Sequence, residues 1–181
     1  MPIPLEAPRV PPLRFREVQQ QVIGHVCHIA TIPWMEYGGG GRQRFTPEGK
    51  GKFQDRLRLL VVSGTAVIPV GEGEARVDPG DVVDVYISGH HRWDWGQAKK
   101  QHAGGLNVGD VLRIVYTGDA QGQGAAPKKV WAFALRAAKP TEAEQVNRAE
   151  QIYRDAELAT VPARNGIELE PEEEEEVAIP W

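Results

Sequence analysis

The stretch from Gly80 to Arg136 constrains the fold more than any other part of the chain. Val82-Val83-Asp84-Val85-Tyr86-Ile87 reads as a strand with Val83, Val85 and Ile87 on one face and Asp84 and Tyr86 on the other. A short helix is expected from Trp95 to His102, with Asp94 as its cap and Trp95, Ala98 and His102 on one face. Val111–Tyr116 and Val130–Arg136 then read as two further strands. Upstream, Val22–Ile32 is rich in β-branched residues and stops at Pro33. In Arg56-Leu57-Arg58-Leu59 the leucines face a core and the arginines face out. The element order is three strands, a helix and two strands.

That order predicts an all-β fold: a five-stranded oligonucleotide/oligosaccharide-binding (OB) barrel with its helix between strands 3 and 4. Thr141-Glu142-Ala143-Glu144 has the capping-box pattern that opens a C-terminal helix running to about Leu158. The chain is read as a Pro-rich arm (1–17), the barrel domain (18–138), the C-terminal helix (139–159) and a linker with a disordered acidic tail (160–181). The five prolines of Met1–Pro12 rule out a helix there and predict a loosely held arm.

Net charge, −4, hides a segregation. Glu168, Glu170 and Glu172–Glu176 are seven acids, and no Lys or Arg follows Arg164. Removing those seven from the 25 acids leaves 18 against 21 bases, so residues 1–166 carry about +3. A basic body with an acidic tail fits a nucleic-acid binder. The single cysteine excludes an internal disulfide framework and, with no membrane-length apolar run, leads to an expected cytoplasmic location.

Between the first two strands lie about twenty residues, far more than the roughly two to five of a tight hairpin. They interleave glycines (Gly38–Gly41), cations (Arg42, Arg44, Lys50, Lys52) and aromatics (Trp34, Tyr37, Phe45, Phe53). Long cations neutralise phosphates and flat rings stack on unpaired bases. In an OB barrel this connection borders the binding face, as does the strand 4–5 connection that exits at Lys128-Lys129. The candidate nucleic-acid contacts are therefore Arg42, Arg44, Phe45, Lys50, Lys52, Phe53, Arg56, Arg58, Tyr86, Trp93, Lys128 and Lys129.

No Cys-x-x-Cys pair, His-Glu-x-x-His motif or Gly-Lys-Ser/Thr phosphate loop appears. Cys27 lies mid-strand among apolar residues, where it reads as inert core. Neither an enzyme nor a cofactor or metal site is expected.

The chain ends Glu172-Glu173-Glu174-Glu175-Glu176-Val177-Ala178-Ile179-Pro180-Trp181. An acidic run closing on Ile-Pro-aromatic resembles the C-terminal tip of bacterial-type single-stranded DNA-binding proteins, with Trp181 where Phe is usual. Gly80–Gly89, Leu106–Leu112, Tyr116–Asp119 and Pro127–Trp131 resemble a phage-encoded OB-fold family of the same activity. The resemblance implies non-catalytic binding of single-stranded DNA in phage replication or recombination. It also implies that Ile179, Pro180 and Trp181 recruit replication or recombination proteins, in a host cytoplasm if the chain is phage-encoded. Self-association stays open. Charge and stacking do not distinguish DNA from RNA, so an RNA-binding OB protein is the alternative, and a protein-interaction adaptor the reading from another class.

Overall fold

The computed structural model describes residues 9–35, 42–121 and 127–160. Seven strands and two helices follow the chain: β1 (Gln21–Pro33), β2 (Phe53–Gly64), β3 (Val67–Val70), β4 (Gly73–Arg76), β5 (Val82–Ile87), α1 (His91–Gln101), β6 (Val111–Ala120), β7 (Lys128–Arg136) and α2 (Ala143–Thr160). The protein is mostly β. Five strands form one antiparallel sheet in the order β5-β2-β1-β6-β7, and β3 with β4 forms a separate hairpin.

Alternation decides what the sheet buries. Leu57, Leu59, Val83, Val85, Ile87, Leu112 and Ile114 point to one side and are sealed from solvent. Trp95 of α1 enters the same core, 5.8 Å from the Phe133 ring of β7. β1 is the long central strand, and its pairing with β2 shifts register at Ile23/Gly24 and Val26/His28. Gly24 sits at the first shift, where a Cβ would stand 2.8 Å from the Leu60 carbonyl oxygen. No larger residue fits there without moving β2.

The expected closed barrel is not formed. Among the described residues the edge strands β5 and β7 share no ladder. The outward backbone groups of Asp84 in the middle of β5 are taken by residues 11–13: Leu13 N–H donates to the Asp84 carbonyl at 2.8 Å, and Asp84 N–H to that of Pro11 at 3.0 Å. α1 packs against both edge strands instead.

Four other expectations change. Residues 9–15 are a fixed strap rather than a loose arm, because Leu13 and Phe15 enter the core. The link after β2 holds the β3–β4 hairpin, so in chain order α1 follows the fifth strand instead of the third. α1 itself starts at His91, which puts Asp94 inside its first turn instead of at the cap. Before α2, the Glu142 carboxylate accepts the Lys139 N–H at 2.7 Å, so the cap lies at Lys139 and not at Thr141.

α2 docks on the outer face of the sheet. Ala149 is buried with Cys27 and Leu60, and Ile152 and Val82 pack around them. No helix among the described residues is long and apolar enough to cross a membrane.

Candidate nucleic-acid interface

Opposite the core, the side chains of β1, β2 and β5 line up by register. His28 faces Arg58 and Ala30 faces Arg56 across β1–β2; Arg58 faces Asp84 and Arg56 faces Tyr86 across β2–β5. Arg56, Arg58, Asp84 and Tyr86 form the floor of a groove of about 810 Å³. The strap from Arg9 to Pro12 makes one wall, and Ala156 and Ala159 at the end of α2 contribute to another. The wall from α2 is fixed in place: the His28 ring donates to Glu157 at 2.9 Å and lies 5.9 Å from the Tyr153 ring.

The two arginines of the floor are not equivalent. Arg58 is held by Asp84 through two hydrogen bonds of 2.8 and 3.0 Å, which keep its guanidinium firmly charged. That charge is balanced inside the protein by Asp84, a pairing that the expectation of Arg58 neutralising backbone charge did not include. Among the described residues no carboxylate pairs with Arg56, and its Nε is buried without a hydrogen-bond partner there. A buried donor lacking a partner costs free energy that an incoming oxygen would recover.

Beyond β1 and β2 the groove floor continues into a finger. Within the long connection, the described residues 42–45 lie against residues 34–35 and 51–52 through isolated bridges. Met35 bridges to Gln43 and Phe45 to Gly51, while Arg44 N–H donates to the Trp34 carbonyl and Lys52 N–H to the Arg44 carbonyl. The Arg44 guanidinium lies 4.7 Å and the Lys52 ammonium 5.9 Å from the centre of the Trp34 ring. Because side chains alternate along each strand, Trp34, Arg44 and Lys52 share the face of Arg56 and Tyr86.

Phe45 and Phe53 lie on the other side from these cations. They are odd-numbered neighbours of Arg44 and Lys52 and stand on the reverse of the ribbon, with Met35 and Gly51. Phe53 continues the side of β2 that carries Asp55 and Leu57. The interleaving seen in the sequence therefore sorts into a cationic face with one indole and a reverse face that holds Met35, Phe45 and Phe53 beside Gln43.

The remaining candidates lie apart from the groove floor. Arg42 and Lys50 are exposed at the base and turn of the finger. Trp93 is 71% exposed in the first turn of α1, beside Arg92, whose guanidinium approaches Asp55 at 3.7 Å and the Phe53 carbonyl at 3.5 Å. Lys128 and Lys129 are both exposed, and the Lys129 ammonium donates to the Phe15 carbonyl at 2.6 Å and stands 5.2 Å from the Tyr116 ring. Their strand end is tied to α1 by His90, which donates to the Lys129 carbonyl at 2.6 Å. Tyr37, Gly38–Gly41 and the tip Ile179-Pro180-Trp181 lie outside the described residues.

Trp34 and Arg9 were not among the candidate contacts, yet the first anchors the cationic face and the second lines the groove. For Trp34 the signal was present in its position two residues after Ile32, on the face of Arg56. Arg9 carries no sequence signal, since only the folded strap brings it to the groove.

Cys27 is buried, and that burial pushes its thiol up to about 12, the condition of an inert core cysteine. Comparison with protein-family models, with curated proteins and with solved structures finds no match for this chain.

Proposed function

We propose that this chain binds single-stranded DNA with little sequence preference, laying the strand along the groove and onto the cationic face of the finger. The observation that carries this reading is the shared face of Trp34, Arg44, Lys52, Arg56 and Tyr86. There a phosphate drawn to a cation brings its base beside a ring. The walls formed by residues 9–12 and the end of α2 suit a single strand better than a duplex about twice as wide. Arg56 and Tyr86 act in the floor, Arg44, Lys52 and Trp34 on the finger, and Arg42 and Lys50 along its outer margin. Arg58 acts indirectly, by shaping the floor with Asp84.

The fold supports the same reading. An OB domain is a partly open Greek-key barrel, and a five-stranded sheet whose open seam is spanned by a helix fits that description. On this reading the protein is a phage-type replication or recombination factor acting in a host cytoplasm, whose Ile179-Pro180-Trp181 tip recruits partner proteins. The test is competition among oligo-dT, an RNA strand of matched length and a duplex for the full chain at low salt. The proposal expects oligo-dT to win. Preference for the RNA strand would move the activity to RNA, and equal or absent binding of all three would end it.

A further inference from the structure

We infer that the apolar face of the finger is a docking surface for a second copy of this chain, used when two molecules occupy neighbouring stretches of one strand. The inference rests on the single-strand reading above. Phe45 is 58%, Phe53 46% and Met35 40% exposed; register sets Phe45 opposite Gly51 and Met35 opposite Gln43, whose amide lies over Gly51. A strand that follows Arg44, Lys52, Arg56 and Tyr86 runs on the other side of the ribbon. Its bases do not reach these rings without wrapping around the finger, so the rings are not explained by stacking.

Position and size argue for a second copy as the occupant. β2 passes directly from Phe53 to Arg56, so the finger stands at the Arg56–Tyr86 end of the groove. That is where a long strand leaves one molecule and meets the next. Three side chains fall well short of the roughly 1,200 Å² that a stable interface buries in total. Free molecules are therefore expected to stay apart, and the contact forms only when a common strand raises the effective concentration. Because a nucleic-acid strand has polarity, neighbours meet head to tail and the contact is heterologous.

The experiment compares the full-length wild type with Phe45→Ser/Phe53→Ser, and separately with Met35→Ser. Each binds two oligo-dT lengths, one accommodating a single molecule and one accommodating many. Unchanged circular dichroism and melting verify that the variants are folded. The inference expects affinity for the short strand to stay within about twofold, while cooperativity on the long strand falls about tenfold or more. Equal losses on both lengths would show that the rings stack on bases, and unchanged cooperativity would show that they meet nothing; either result overturns the inference. A wild-type dimer in sedimentation without DNA would overturn its dependence on the strand. If the wild type binds neither length, the single-strand reading itself falls and takes this one with it.

Discussion

Asp84→Asn separates the structural role of the groove floor from its binding role. The Asp84 side chain is almost fully buried and accepts both hydrogen bonds from Arg58, whose own side chain is 17% exposed. Asparagine keeps the shape and one acceptor but removes the charge, leaving a guanidinium without its counter-ion. Breaking a fully buried pair costs about 3–5 kcal/mol. Because Arg58 opens onto the groove and retains one hydrogen bond, the expected cost is lower, roughly 2–3 kcal/mol. At about 2–4 °C per kcal/mol for a chain of this size, melting followed by circular dichroism should fall by roughly 5–10 °C. The same change releases a cation into the proposed path of the strand. Single-strand affinity at low salt should rise, with a salt slope steeper by about 0.7, and bound oligo-dT should restore part of the lost melting temperature. An unchanged melting temperature would refute the structural role of the pair. A destabilised variant that binds oligo-dT more weakly would refute the groove as the path.

Other consequences follow from single sites. Gly109 has φ +92°, and a Cβ there would stand 2.9 Å from Val146 of α2; Gly109→Ala should cost more than about 1 kcal/mol in a denaturant melt, and adding Val146→Ala should recover part of it. His91 stacks on Trp131 at 4.1 Å, and burial together with the charge of His90 lowers its pKa from 6.5 to about 4. The unfolded chain takes up that proton first, so this contribution to stability is complete above pH 6.5 and is lost as the pH falls towards about 4. His91→Phe should flatten the dependence of melting temperature on pH in that window. The Cys27 thiol should resist a thiol reagent at neutral pH until denaturant exposes it; rapid labelling of the folded protein would contradict its burial.

Much of the sheet was legible because alternation is a local property. Leu57 and Leu59 against Arg56 and Arg58, and Val83 and Val85 against Asp84 and Tyr86, sort into core and outer face without knowledge of their partners. What the residues could not reveal is what lies across the ladder. Nothing around Asp84 announces that it faces Arg58, so their pairing is not legible from the sequence. The strap is not legible because prolines 11 and 12 argue only against a helix, yet the Pro11 carbonyl and the Leu13 N–H pair with Asp84 on the β5 edge. Val67–Val70 contains Pro69, tolerated because β3 pairs with β4 on one side and meets the strap on the other only through Val67 and Arg14. In the finger, the order Arg44-Phe45 and Lys52-Phe53 already held the two faces. Seeing them required knowing that the segment is extended, since period-2 sorting means nothing in a loop.

Salt dependence of oligo-dT binding, with and without the finger cations, tests the single-strand account most directly. Arg42, Arg44, Lys50, Lys52 and Arg56 are the five cations that the account places along the strand, and at about 0.7 per phosphate they predict a slope near −3.5. Replacing Arg44 and Lys52 by alanine should bring the slope near −2 while leaving the fold intact. A slope that the two substitutions do not change, or binding that is insensitive to salt, would contradict it.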